Sequence, residues 1–290
     1  MSHVIMKKAR TLESFSSDCY RVKDEPRKIF LRIFSLYSLS NFWEDRESEK
    51  NSAAPQLTTV LLQNTGKIVF PVFRIIRQCK IFRNRQDLLN FETVCALESQ
   101  VAEAFVNKNF TSAIEPIKTA KDQFTELFND NQMNDHVTSM PEFLRKFTTG
   151  SVLAYILTKG VEVYERLKEY EKAVEILERL LSQKMYLPNY HGHWYERLVL
   201  DLDQHLKNPK RALETIKEGL NDPYVQEARL LFLSQRVIKI INTKKNNSII
   251  TYEDRKKFEN HSRWLTPQQP FTETIQGEYV HMPIFKDDVI

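Results

Sequence analysis

The chain is 290 residues long and carries 42 Lys and Arg against 38 Asp and Glu, a formal net charge of +4. Hydrophobic residues make up 41% and charged residues 28%, the balance of a globular protein with a sizeable core, which excludes a disordered polar chain. A charge this small excludes a uniformly basic coat for nucleic acid, so any electrostatic partner must be met by a local cluster. Cys19, Cys79 and Cys95 are an odd count without CxxC spacing, which points to reduced cysteines rather than a disulfide framework or a zinc site. No apolar run reaches the length of a signal peptide core or a bilayer span, and a cytosolic or nuclear protein is expected.

Residues 1–24 are polar and mixed and are expected to be loosely ordered. Pro26 opens a helix whose apolar face is Ile29, Phe30, Ile33, Phe34, Leu36 and Tyr37, with proline in the first turn, where its missing N–H costs nothing. Residues 43–55 read as a solvated loop. Leu57–Leu62 and Lys67–Phe73 are branched and aromatic and flank Gln63-Asn-Thr-Gly66, which predicts a β-hairpin, with Pro71 at an edge or bulge.

Lys67, Arg74, Arg77, Lys80, Arg83 and Arg85 follow with no acid between the first and the last. Interleaved apolar residues, among them Phe70, Phe73 and Phe82, would anchor them. Cations on a rigid support without neighbouring acids are what contact with a phosphate backbone requires. Arg27, Lys28 and Arg32 on the first helix could extend that surface. The competing reading is a solvated edge whose arginines pair with distant carboxylates.

From Asp87 the apolar period becomes helical: Leu88, Leu89, Phe91, Val94, Leu97, Val101 and Phe105 form one stripe. Three segments share a signature: Ala113-x3-Ile117-x2-Ala120, Ala173-x3-Leu177-x2-Leu180 and Ala212-x3-Ile216-x2-Gly219. A small residue lets two antiparallel helices approach, and the aliphatic residue one turn later fills the groove. This is the pattern of the second helix of a tetratricopeptide-like pair, and Tyr164, nine residues before Ala173, fits its partner helix, with Lys168-Glu-Tyr170 in the turn. The spacings between units are irregular. The fold class expected is therefore mainly α, a degenerate tetratricopeptide-like repeat preceded by a small helix and β-hairpin region; a plain helical bundle is the alternative. Residues 242–250 read as a polar linker, and 272–285 as one or two strands. The expected boundaries are 1–24, 25–90, 91–241 and 242–290.

Other constellations carry less. His191 and His193, with His205 beyond, have no Cys or paired carboxylate at ligand spacing and read as loop histidines with one on a helix surface. Trp194, Tyr195 and Leu198 share a helical face and read as core. Asp254-Arg-Lys256 is the one acid-x-Lys pattern, but Thr251-Tyr-Glu-Asp254 reads as a capping box opening a helix.

The segment from Leu180 to Leu198, together with Leu57–Leu62, Ile81–Leu88, Glu171–Glu175 and Glu218–Val225, resembles the Fanconi-associated nuclease family, in the helical-repeat region ahead of its nuclease domain. The resemblance runs from about Arg27 to Gly277. It implies a nuclear, structure-specific DNA nuclease of interstrand crosslink repair that cleaves near 5′ flaps with Mg2+ or Mn2+. It implies branched or flap DNA as partner, a DNA-repair protein as a possible second partner, and no membrane. The family's layout is a zinc finger, a SAP-type DNA-binding domain, a helical-repeat domain and a VRR-type nuclease. Against that layout this chain would hold the end of the second part and the whole of the third, with its nuclease domain expected beyond Ile290. The zinc-finger cysteines and the acid-acid-x-Lys block are not found, so the chain alone is expected to be inactive and to bind no cofactor. The resemblance also implies a pocket for a 5′ phosphate, with His193 where the family has Arg before the Trp, and Ala228, followed by Arg229, where it has His. Arg197 is the third candidate there. The alternative function is a protein-interaction adaptor with a helical-repeat groove.

Overall fold

The computed structural model describes residues 23–37, 62–69 and 79–243. It divides into two compact units, residues 1–159 and 160–290. In the first, the helices are α1 (Asp24–Tyr37), α2 (Arg85–Val106), α3 (Ile114–Phe128), α4 (Asn131–Ser139) and α5 (Glu142–Arg145). Helix α6 (Thr149–Arg166) carries the chain across the boundary. The second holds α7 (Tyr170–Leu181), α8 (His191–Leu200), α9 (Pro209–Asn221) and α10 (Glu227–Asn242).

Helix starts follow from side-chain caps that satisfy otherwise orphaned N–H groups. Asn84 Oδ1 accepts from Asp87 N at 2.9 Å and opens α2. Asp130 Oδ1 accepts from Met133 N at 3.1 Å and opens α4. Asn208 Oδ1 accepts from Arg211 N at 3.1 Å and, with Pro209 behind it, opens α9.

Helix ends are closed by lysines in a left-handed conformation. Lys108 (φ 54°), Lys168 (φ 62°) and Lys207 (φ 55°) each stand five residues before the alanine of one repeat signature, Ala113, Ala173 and Ala212. At the first two, the N–H groups of Lys108 and Asn109 bond to Phe105 O and Ala104 O, and those of Lys168 and Glu169 to Glu165 O and Tyr164 O, at 2.8–3.1 Å. This is the paired closure that usually takes glycine. At the third, a π-helical turn, Asp201–His205, widens the closure, so that Asn208 N reaches Leu202 O.

The closure aims each following helix back along its predecessor, and the small residue sets how near it comes. Ala113, Ala173 and Ala212 have no exposed surface, and Ile117, Leu177 and Ile216 behind them are buried. Gly219 goes further: a Cβ there would lie 2.9 Å from Leu233 Cδ1 and 3.0 Å from Tyr195 Cγ. In the first unit, Phe91, Ile117, Phe124 and Leu153 are buried, and α2 packs on α3. In the second, α7 packs on α8, α8 on α9 and α9 on α10, around Trp194, Tyr186, Leu180 and Ile216. The reading of Trp194, Tyr195 and Leu198 as core agrees with their burial.

The hairpin expectation needs correction. Residues 62–64 are helical, and Gly66 (φ 72°) ends that helix. Gly66 N bonds to Gln63 O at 3.0 Å and Lys67 N to Leu62 O at 2.9 Å, the same two-bond closure used at Lys108 and Lys168. Asn-Thr-Gly serves a hairpin turn and a helix C-terminus through the same left-handed glycine, so the local pattern cannot separate them. No strand occurs among the described residues; residues 57–61 and 70–73 of the expected hairpin, the linker expected at 242–250 from residue 244 on, and the strands expected at 272–285 lie outside them, while Asn242 still belongs to α10.

Replacing Lys168 by Gly relieves a left-handed side chain (about 1–2 kcal/mol) against a larger loss of unfolded-chain entropy (roughly 0.5–1 kcal/mol). Lys168→Gly is expected to stabilise by up to about 1 kcal/mol, whereas Ala173→Leu should destabilise by about 1–3 kcal/mol through overpacking. Urea denaturation of both variants checks this, and a destabilised Lys168→Gly would contradict the turn geometry.

Candidate nucleic-acid interface and anion pocket

The nine cations proposed from sequence separate into distinct groups. Lys67, Lys80 and Arg85 are exposed, and none has an ion-pair partner among the described residues. Arg83 is different. Its Nε donates to Asp87 Oδ2 at 2.8 Å, a second guanidinium nitrogen to Oδ1 at 3.1 Å, and its backbone N to Oδ2 at 3.1 Å. The bond from Arg83 holds the Asp87 carboxyl below its usual range against the cost of burial, which fixes this arginine as a brace at the start of α2. Arg32 forms a two-pronged pair with Glu92, Nε to Oε1 at 2.7 Å and the second nitrogen to Oε2 at 2.8 Å. Arg27 and Lys28 belong to α1. Arg74 and Arg77 lie outside the described residues.

The three phosphate-pocket candidates sit on α8 and α10. His193 and Arg229 line a cavity of about 270 Å³ with Asn189, Tyr190, Gly192 and Gln226. Gly192 makes this possible, since a Cβ there would lie 2.7 Å from Arg229 Cγ. Arg229 reaches across to the Glu196 carboxylate. Burial first, and the Arg229 charge second, hold the His193 imidazole below its ordinary pKa, so it is neutral at pH 7. The pocket thus offers one guanidinium already engaged by a carboxylate and one uncharged imidazole. Gln183 fixes the approach to it: its amide donates to Leu180 O and Tyr186 O and accepts from Tyr186 N at 2.7–3.1 Å, entirely buried.

Arg197 does not line that cavity. Its Nε donates to Glu165 Oε1 at 2.9 Å, and one turn on lies Asp201, with no exposed surface. Neither carboxyl oxygen of Asp201 accepts a hydrogen bond. Burial first, and the Glu165 carboxylate second, push Asp201 up to about 7, with Arg197 opposing. Two acids and one arginine therefore share a site that is neutral only while it holds a proton. Asp201 begins the π-helical turn.

Sequence reasoning also missed His191. It is the first residue of α8 rather than a loop residue, it is 1% exposed, and its Nδ1 lies 2.8 Å from Asp222 Oδ2. His205 stacks flat on Tyr170, ring centroids 3.8 Å apart.

A family model described as Fanconi-associated nuclease 1, TPR domain, matches residues 87–241, more than half of the chain. The chain belongs to the Fanconi-associated nuclease 1 family. It is 40% identical over 237 residues to Fanconi-associated nuclease 1 of Mus musculus and 38% identical over the same length to that of Homo sapiens, in each case 82% of this chain and 23% of the relative. It is 24% identical over 280 residues to the Fanconi-associated nuclease 1 homolog of Schizosaccharomyces pombe, 89% of this chain and 38% of that protein. The chain thus spans about a quarter of the length of its mammalian relatives.

The TPR assignment gives the lysine-closed helix pairs their family context, and the match begins at Asp87, the carboxylate that Arg83 engages. No group of three or more His, Cys, Asp or Glu among the described residues could hold a metal ion, so the divalent metal implied by the resemblance finds no ligand set in them. Asp254 and Lys256 lie outside the described residues. No helix among the described residues is long and apolar enough to cross a membrane.

Asp201 makes a distinct prediction. Its folded pKa lies above the unfolded carboxylate value of about 3.9, so between about pH 4 and pH 7 the folded state keeps a proton that the unfolded state loses. Its contribution to stability therefore falls as pH rises through that window. Asp201→Asn should remove the fall, gaining more than about 1.4 kcal/mol over the parent between pH 5 and pH 8, the equivalent of one pKa unit. Chemical denaturation at several pH values measures this; parallel profiles would contradict the buried-proton assignment.

Proposed function

We propose that this chain is the DNA-binding and scaffold region of a Fanconi-associated-nuclease-like protein, acting on branched or flap DNA in the nucleus during interstrand crosslink repair. The observation that carries the reading is the family match over 87–241 immediately behind Lys67, Lys80 and Arg85, which are exposed and unpaired among the described residues. Their ammonium and guanidinium groups would neutralise backbone phosphates without reading sequence, releasing counterions as they do. Arg83 and Arg32, held by Asp87 and Glu92, would support that surface rather than touch DNA. Phosphodiester cleavage with Mg2+ or Mn2+ is assigned to a nuclease domain distinct from the described residues.

The cavity at the start of α8 supports a second element of the same reading, capture of a 5′ phosphate. A phosphate would have to compete with Glu196 for Arg229, and its charge would favour protonation of His193. Preference for a phosphorylated end should therefore strengthen as pH falls.

The adaptor alternative draws on one observation, a cavity in the first unit whose lining includes Glu126 and Asp130 and no Lys, Arg or His.

Fluorescence titration of 5′-flap DNA at two salt concentrations tests the scaffold reading. Lys67→Glu, Lys80→Glu and Arg85→Glu together are expected to weaken binding and lower the salt slope by about three, close to one per phosphate contact. An unchanged slope would count against these residues. A 5′-phosphorylated flap should gain over its 5′-hydroxyl counterpart on going from pH 8 to pH 6, and Arg229→Gln should abolish that gain; equal affinities at both pH values would remove the phosphate pocket.

A further inference from the structure

The cavity beside His193 has two walls from separate stretches of chain. Asn189, Tyr190, Gly192 and His193 form one, and Gln226 and Arg229 the other. One polar link between these stretches is Arg229 to the Glu196 carboxylate. Another is His191 to Asp222, whose Nδ1 and Oδ2 lie 2.8 Å apart. The first does not survive occupation, since an anion that takes the Arg229 guanidinium takes it from Glu196. The second involves neither cation of the pocket and can stay closed while an anion is bound.

Asp222 serves two sides at once. Its Oδ1 accepts from Tyr224 N at 2.9 Å and its carbonyl from Val225 N at 3.1 Å, which folds the connection between α9 and α10 into a turn. Its Oδ2 faces the first residue of α8. A carboxylate offers only lone pairs, so His191 Nδ1 carries the proton between them. The imidazole lies between the rings of Trp194 and Tyr224, with centroids 5.3 and 5.4 Å away. Its Nε2 is buried with no hydrogen-bond partner, a cost that an apolar side chain there would not incur. What histidine supplies in return is the bond to Asp222. That bond holds the segment from Asp222 to Arg229 against α8 where Gly192 leaves room: a Cβ on Gly192 would lie 3.5 Å from Val225 Cγ1 and 2.7 Å from Arg229 Cγ.

We propose that His191 and Asp222 are positioning residues for this pocket: their bond keeps the Gln226 and Arg229 wall at a fixed distance from His193, so the pocket is already shaped when a terminal phosphate displaces Glu196 from Arg229. Neither residue touches the phosphate. This role rests on the reading of the cavity as a seat for a 5′ phosphate. A site that its ligand has to order binds that ligand less tightly than one already in place. The same bond keeps His193 enclosed. Burial is the first cause of the lowered His193 pKa, with Arg229, Glu196, Arg197 and Glu165 facing the ring. A loosened wall would return water to the imidazole.

The experiment uses the full chain and three variants. Asp222→Ser keeps an oxygen for Tyr224 N and removes the one that faces His191. His191→Leu removes the donor from the other side. His191→Asn places an amide N–H where Nδ1–H stood and should restore the pocket. Flap DNA with a 5′-phosphate or a 5′-hydroxyl end is titrated at pH 6. Asp222→Ser and His191→Leu are expected to weaken the phosphorylated flap by about tenfold and to leave the hydroxyl flap unchanged, with His191→Asn close to the parent. In NMR titration of the ring protons, the His193 midpoint in both disrupted variants should rise toward about 6.5, a change that a uniform loss of stability would not produce. Equal loss for both flap ends, an unmoved His193 midpoint, or no recovery in His191→Asn would each overturn the proposal. A parent that binds both ends equally would remove the phosphate reading and this role with it. A parent that prefers phosphate, beside an Asp222→Ser variant that keeps the preference, would remove the positioning role alone. Should His191→Leu fail to fold, Asp222→Ser and His191→Asn decide the outcome.

Discussion

The structure depends on how closely two consecutive helices can approach and how sharply the chain can turn between them. Ala113, Ala173 and Ala212 meet the first requirement by presenting almost nothing at the contact. Lys108, Lys168 and Lys207 meet the second by adopting a left-handed backbone that L-residues adopt at a cost of about 1–2 kcal/mol. That cost is offset because the turn completes two backbone hydrogen bonds that a helix end otherwise leaves open. The fixed offset of five residues between turn and alanine means that one geometric unit recurs, even though the intervals between units do not.

Electrostatics acts on this frame by subtraction. A run of basic residues unbroken by acids looks like a single surface. Folding returns Asp87 to Arg83 and brings Glu92, sixty residues along the chain, to Arg32. Each such pair removes a cation from the field available to a phosphate backbone while adding rigidity to the element that holds its neighbours. The partly exposed Arg32–Glu92 pair adds little stability, whereas Asp87 is buried and would be left uncompensated without Arg83. The effect of both pairs is to separate braces from contacts.

The second unit concentrates its buried polarity around α8. His191 is tied to Asp222 at its start, and Arg197 is held by Glu165, which the buried Asp201 carboxyl also faces. Between them Gly192 admits the Arg229 side chain against the helix. The π-helical turn at Asp201 follows directly, and such turns recur where a helix is shaped for something other than its own hydrogen bonds. The cavity by His193 and the protonated acid site are thus carried on one helix, fixed by the same core around Trp194.

Much of this was legible in residues alone. Apolar periodicity places the helices from Asp87 onward, the small-x3-aliphatic signature marks the second helix of each pair, and the ordered blocks from Leu57 to Val225 name the family. These signals are local: they concern residues within a turn or two of each other, where geometry is nearly independent of the rest of the chain. Gln63-Asn-Thr-Gly66 marks the limit of such signals, because one left-handed glycine closes a hairpin and a helix alike. What only the tertiary structure decided is which charges remain free and which are engaged or buried: Arg83 against Lys80, and His191 against His193. A side chain's charge and donors are written in its identity. Its partner is whatever the folded chain brings within about 3 Å, and its solvation depends on every element packed around it.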